Sequence, residues 1–328
     1  MASMRILLFS ENDDMLPELL YVIRNLGGPP DKYVSSIAIS PHAIETATDC
    51  IALGVDEAFV VITDSTVSRD ACALGSALAA ATRIIAPDLI LVGATQTGSE
   101  AMAHLAQHLE VPCLSDCLAL CLDAHGRLLA ERRVYGGRFG AQQLLEGGPL
   151  IASVPPRRFP GATRPREPRG VITRLTEVSP KSRIRTRSVS QASRSTVDIT
   201  KADVIVAAGR GIQKSDDLSL LETLAHTLGG VLAGSRPLTG DVDWLPSDRR
   251  VGLSGQTVQP HLYIACGISG QIEHIVGMRG ARTVVAINSD PEAPIHVEAD
   301  YSIVGDLYEI VPAILEALQD AALGATLR

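Results

Sequence analysis

Aromatic residues are scarce in this sequence. Phe, Trp and Tyr make up 3% of 328 residues, with a single tryptophan. A composition this poor in aromatics, dominated by Ala, Val, Leu and Ile, suits α/β layers. Basic charge is also in deficit, with 29 Lys and Arg against 37 Asp and Glu and a net charge of -8. A general nucleic-acid binder needs the opposite balance. Apolar runs are short: no charge-free stretch approaches the roughly eighteen residues a membrane-spanning helix requires. The opening MASMRILLFS passes straight into a strand-like run, so no secretory leader is expected.

Several motifs are missing as well. The six cysteines, at 50, 72, 113, 117, 121 and 266, lie in apolar surroundings of a long chain. That distribution implies a reducing, cytoplasmic setting rather than a disulfide framework. Cys113, Cys117 and Cys121 recur every fourth residue, without the tight pair spacing or the fourth ligand of a zinc site. They read as buried thiols. His104 and His108 fall one turn apart on an expected helix, but no H-E-x-x-H pattern accompanies them. They read as a solvated helix face. Neither a G-x-G-x-x-G fingerprint nor a Walker A loop is present, which argues against NAD or ATP.

What the chain does have is aliphatic alternation. Ala, Val, Leu and Ile dominate a composition that is 46% hydrophobic, as buried parallel strands require. RILLFS, SSIAIS, EAFVVIT and DLILVGA read as strands, with helices predicted over Pro41–Leu53, Ala71–Ile85 and GSEAMAHLAQHL. Strands alternating with helices imply a parallel sheet with right-handed crossovers. CLALCLDAHGRLLAERRVYGG reads as a hairpin turning at Ala124–Arg127, whose antiparallel strands are expected to extend that sheet. Residues 157 to 201 hold twelve Lys or Arg against three Asp or Glu. With only Phe159 for stacking, this stretch reads as edge strands, GVITRLTEVS and SRIRTRSVS, and a linker rather than a nucleic-acid tail.

The alternation then restarts. ADVIVAAGRG, GVLAGSRP, LYIACGISG, TVVAINSD and DYSIVGD are five further strands, and the last helix is predicted over Leu307–Leu318. The expected fold class is therefore α/β in two domains. Residues 1–198 form an N-terminal parallel sheet with added antiparallel strands, ending in the basic linker. Residues 199–328 form a doubly wound parallel sheet. In such sheets ligands bind at the carboxyl ends of the strands. Those ends read AGRGI, AGSRP, CGISG, INSD and VGD. Gly267-Ile268-Ser269-Gly270 ahead of a helix suits a diphosphate, because glycine admits a close approach and helix N-termini offer free N–H groups. Singly, each feature has a plain structural reading: a turn glycine, a surface arginine, a satisfied helix histidine. Their convergence at one end of one sheet points to a cofactor site.

The stretch VGLSGQTVQPHLYIACGISGQIEHIVGMRGARTVVAINSDPEAPIHVEADYSIVGDLYEIVPAILEAL resembles the C-terminal signature of the electron transfer flavoprotein alpha subunit, the FixB family. The first half agrees more loosely through PDLILVGATQTGSE and RRVYGG. The resemblance implies one FAD, held by the second domain, and a heterodimer with a beta subunit. It implies electron transfer from flavin dehydrogenases toward an electron transfer flavoprotein–quinone oxidoreductase. It also implies roles. Ser235 and Ser269 lie beside the pyrophosphate and ribityl chain, and Arg236 lies over the isoalloxazine ring. Ser254 gives a hydroxyl to flavin N5, and His274 faces the C2 carbonyl end. Asn288 and Asp306 serve the adenosine side with Arg210 nearby. Val251, Gly252, Leu253, Gly267, Ile268, Gly270, Gln271 and Leu307 complete the expected cofactor-binding set. No catalytic or metal-ligating residue is expected.

Positive charge and donors near N1 and O2 stabilise the negative charge a flavin gains on reduction, which suits Arg236 and His274. An ordinary histidine also changes charge near neutral pH. Two positions depart from the family pattern: Leu253-Ser254-Gly255 stands for Gln-Thr-Gly, and Glu273 for glutamine. Two other readings compete. A flavin- or nicotinamide-dependent oxidoreductase would turn over NAD(P)H alone. A degenerate nucleotide-binding subunit would carry an adenine nucleotide instead of FAD.

Overall fold

The computed structural model describes residues 3–123, 125–135, 138–163, 169–188 and 197–326, with side chains of the last helix described through 321. The described residues fall into two compact units, divided between Val189 and Ser190. In the first, the aliphatic runs form β1 (Met4–Phe9), β2 (Lys32–Ser40), β3 (Glu57–Ile62), β4 (Leu89–Gly93), β5 (Cys113–Leu114), β9 (Leu150–Val154) and β10 (Val171–Arg174). Their order is β10-β3-β2-β1-β4-β9-β5, and every pair is parallel. Helices α1 (Leu16–Arg24), α2 (Ala43–Leu53), α3 (Ala71–Ile85) and α4 (Gln96–Leu109) cover the faces. Period-two alternation assigns each face its core: Ile6 and Leu8 of β1 pack with α1 and α2 residues, Leu7 and Phe9 with α3 and α4 residues.

The expected hairpin exists but does not extend this sheet. β6 (Cys117–Leu122), β7 (Leu128–Val134) and β8 (Phe139–Leu145) form a separate antiparallel sheet. The cause is local. β5 stops after two residues, Asp116 takes a left-handed φ of 54°, and its N–H donates to Ser153 Oγ. The chain leaves the sheet edge there. Ala124, at the expected turn, lies outside the described residues. GVITRLTEVS supplies the edge strand β10, as its pattern predicts. SRIRTRSVS is not a strand over its described residues 182–188.

That segment is anchored by Asp70 instead. Its buried carboxylate caps α3, accepting from the N–H groups of Cys72 and Ala73, and also accepts from Ser182 Oγ at 2.6 Å. Desolvation pushes this carboxyl up, but hydrogen bonds from Ser182 and the backbone of Ala73, Cys72 and Arg183 together hold it below 3.8. Asp70→Ala is expected to cost about 1–2 kcal/mol, the range for losing a helix cap. A depressed carboxyl stabilises the fold above its unfolded pKa and stops doing so as pH falls through the folded one. The difference in urea midpoint between wild type and Asp70→Ala therefore shrinks as pH falls below 3.8. A constant difference across that range would refute the assignment.

In the second unit β11 (Val204–Ala208), β12 (Val231–Gly234), β13 (Leu262–Cys266), β14 (Thr283–Asn288) and β15 (Tyr301–Val304) are all parallel, in the order β12-β11-β13-β14-β15. Helices α5 (Leu218–Thr227), α6 (Ile272–Met278), α7 (Ile295–Glu298) and α8 (Leu307–Thr326) connect and cover them. The last helix runs past the expected Leu318. Again the strands split by alternation: Val206 and Ala208 face the α5 and α8 core, Ile205 and Ala207 the opposite one. The strand order reverses between β11 and β13. That is the switch point, where the two following loops diverge and leave a crevice.

Candidate functional site

A cavity of about 690 Å³ opens at this switch point. Such a volume lies within the range of cofactor pockets. The loops after β11 and β13 meet at its floor through backbone alone. A Cβ on Gly267 would sit 2.7 Å from Gly211 Cα, and Gly267 has a φ of +63°. Gly211 N–H donates to Gly267 O at 3.0 Å, and Gly209 N–H to Cys266 O at 2.9 Å. Only residues without side chains allow that approach.

One wall follows β12. Ser235 is buried, and Arg236 leads into a single π-turn, Pro237–Asp241, of the kind often found at functional sites. Arg250 braces the turn: its Nε donates to Thr239 Oγ1 at 2.8 Å and its Nη2 to Thr239 O at 2.6 Å. The loop Val251–Ser254 forms the next wall and is clamped to α6. Leu253 N–H donates to Glu273 O at 2.6 Å, while Gly252, with φ +136°, leaves no room for a Cβ against the same carbonyl. Leu253 itself is 71% exposed at the mouth.

Of the sixteen cofactor-binding residues expected from sequence, fifteen line this one cavity: Arg210, Ser235, Arg236, Val251, Gly252, Leu253, Ser254, Gly267, Ile268, Ser269, Gln271, His274, Asn288, Asp306 and Leu307. Gly270 does not. It lies off the lining, with a φ of +84°, and a Cβ there would sit 2.2 Å from the backbone N of Ile295 in α7. The structure adds Gly211, Gln213, Ser289, Asp290 and Gly305, which extend the same strand ends and were open to the same rule. Pro237 closes the AGSRP strand end, whereas Asp241 and Ala293 have no such signal; a π-turn and a loop bring them in.

Two expected residues have structural tasks. Asn288 Nδ2 donates to Ile268 O at 2.8 Å while its Oδ1 accepts from Asp290 N–H, so it ties the β13 and β14 ends together. Asp306 Oδ1 accepts from Tyr308 N–H in the first turn of α8. Arg210 and Arg236 contrast with them. Both are exposed, both line the cavity, and neither guanidinium has a hydrogen bond or ion pair among the described residues. Unpaired guanidiniums beside a cavity suit an anionic ligand.

His274 departs from the ordinary histidine expected. It is buried, and desolvation lowers its pKa to about 4, with the Val251 backbone pulling the other way. It is neutral at physiological pH and does not change charge there. Its Nε2 meets Tyr263 Oη at 2.9 Å, and its Nδ1 is buried without a hydrogen-bond partner. Cys266, fully buried at the end of β13, has its thiol pushed up to about 12 and is chemically inert.

Residues 198–279 match the family model described as the electron transfer flavoprotein FAD-binding domain, and residues 28–180 match the electron transfer flavoprotein domain. The electron transfer flavoprotein subunit alpha of Thermoanaerobacterium thermosaccharolyticum is 34% identical over 305 residues, covering 92% of each chain. The chain belongs to the electron transfer flavoprotein alpha family. The protein FixB of Azorhizobium caulinodans is 33% identical over 309 residues, covering 92% of this chain and 84% of that one. The subunit alpha of Bacillus subtilis is 34% identical over 231 residues, covering 70% of each.

FAD is the cofactor of this family's second domain, and the chemistry of the cavity fits it. An unpaired arginine pair suits its diphosphate and the negative charge of its reduced ring. A buried, unpartnered imidazole nitrogen and the Ser235 and Ser254 hydroxyls suit its carbonyl and ring-nitrogen positions.

Proposed function

We propose that the chain is the alpha subunit of a heterodimeric FAD carrier, taking electrons from a flavin dehydrogenase and delivering them to a quinone reductase in a cytoplasmic setting. Bound FAD supplies the one-electron chemistry. The observation that carries the reading is the meeting of fifteen expected residues, from all five strand ends, in one cavity. Arg236 and Arg210 set positive charge along the wall and form no ion pair among the described residues with Asp241, Glu273, Asp290 or Asp306, which line the same cavity. Braced by Arg250 through Thr239, the turn after Arg236 is fixed before any ligand arrives, so little ordering is needed on binding. Ser254 adds a hydroxyl-bearing residue to the same lining. Among the described residues no helix is long and apolar enough to cross a membrane, in keeping with a carrier that meets its reductase from solution.

The test is an absorbance spectrum of the chain co-produced with its beta partner, followed through stepwise reduction. Stoichiometric flavin that takes up electrons one at a time is the expected result. A complex without flavin would sink the proposal, and an adenine nucleotide released on denaturation would identify a nucleotide-binding subunit instead.

A further inference from the structure

We infer that Tyr308 is a positioning residue of the cofactor site: its hydroxyl latches the loop that carries Arg210 onto the start of α8, accepting from Gln213 N–H while donating to Asp217. The latch stands on geometry. Its purpose, setting Arg210 for the anionic part of the cofactor, rests on the FAD reading above.

Both contacts use the phenol as its chemistry allows. Tyr308 Oη lies 2.7 Å from Asp217 Oδ2 and 2.9 Å from the backbone N of Gln213. A carboxylate only accepts and a backbone N–H only donates. The single hydroxyl hydrogen therefore goes to Asp217, and an oxygen lone pair receives Gln213. Burial, with the hydrogen bond to Asp217, raises the Tyr308 pKa above its ordinary 10.0, so the hydroxyl keeps its hydrogen.

Arg210 needs such a hold. Its guanidinium has no hydrogen bond or ion pair among the described residues, so its backbone decides where the charge sits. One side of that backbone is fixed, because Gly209 N–H donates to Cys266 O and Gly211 N–H to Gly267 O. Ile212 is then buried in the core that α5 and α8 share. Beyond it the chain turns outward, and Gln213, Lys214, Ser215 and Asp216 are all exposed. Their hydrogen bonds run to neighbours in sequence and to Tyr308, the one distant partner among the described residues. Gln213 lines the cavity, as do Asp306 and Leu307 immediately before Tyr308. The latch therefore joins two stretches of cavity wall, one after β11 and one after β15. Through Asp217 it also holds the residue that precedes α5.

Two measurements test it: amide hydrogen exchange in the full chain without flavin, and the FAD affinity of the chain co-produced with its beta partner. Tyr308→Phe keeps the ring and removes one oxygen. Its Gln213 amide is expected to exchange about tenfold faster than in wild type, the weight of one net hydrogen bond. The Gly209 amide, on the other anchor, keeps its rate. Asp217→Asn retains an oxygen that accepts from the phenol, and is expected to keep Gln213 slow, whereas Asp217→Ala is not. Tyr308→Phe is also expected to raise the FAD dissociation constant by roughly three- to tenfold. In an Arg210→Ala background the same change adds nothing, because residues that act through one another are non-additive. A tyrosine that only stabilised the fold would weaken binding equally in both backgrounds, and that result overturns the positioning role. An unchanged Gln213 rate in Tyr308→Phe overturns the latch itself. A complex without FAD ends the carrier reading and the positioning role with it, while the exchange rates still decide the latch.

Discussion

Gly267→Ala is expected to abolish flavin retention and to lower stability by about 3 kcal/mol. Two costs combine. An L-residue at a φ of +63° pays roughly 1–2 kcal/mol for the left-handed backbone. The new Cβ would lie 2.7 Å from Gly211 Cα and 3.0 Å from Gly211 N, and backbone cannot swing aside as a flexible side chain does. Overpacking of that kind costs about 1–3 kcal/mol. Relief requires the β11 and β13 loops to separate, which breaks the Gly211 N–H to Gly267 O bond and displaces Arg210 from the cavity wall. Gly229→Ala is the control. Its φ is +68°, yet a Cβ there meets nothing within 4 Å, so only the backbone cost applies and flavin is retained. Urea unfolding of the chain and flavin content of the complex read the two effects. Stoichiometric flavin in Gly267→Ala at wild-type stability would show that the two loops need not touch.

The strand-end rule located the cavity because it depends on order along the chain, and order is what a sequence displays. Each aliphatic run ends where small or polar residues begin, and in a parallel sheet all those ends share one edge. Features that depend on a single dihedral were not legible. Asp116 bears no mark of its left-handed φ, and that angle decides whether Cys117–Leu122 extends the parallel sheet or starts another. Gly270 shares a motif with Gly267 but turns its space toward α7 rather than the cavity, a difference set by tertiary packing. Tyr263 reads as one more apolar strand position, and its hydroxyl becomes meaningful only when α6 lays His274 across it. SRIRTRSVS alternates well enough for a strand, but Asp70 offers its backbone and Ser182 a better partner than a sheet edge. His274 is the sharpest case: sequence places it in the site, while only burial fixes its charge.

That burial makes the chain acid-sensitive over a window that reaches above the ordinary carboxylate range. His274 has a pKa of about 4 in the fold against an ordinary 6.5, so below 6.5 the unfolded chain binds a proton that the native chain refuses. Stability therefore rises with pH between about 4 and 6.5, because the unfolded state holds more protons throughout that interval. The gap corresponds to about 3 kcal/mol across the full window, at 1.36 kcal/mol per pKa unit. Asp70 works in a different range, since its depressed carboxyl loses its contribution only below 3.8. His274→Gln separates the two. The amide keeps a partner for Tyr263 Oη but has no proton to gain, so the slope above pH 4 should flatten while stability at neutral pH changes little. Urea midpoints measured across the window in both chains decide it. A slope equally steep in His274→Gln would place the acid sensitivity elsewhere, and would mean that this imidazole is solvated enough to titrate as it does in the unfolded chain.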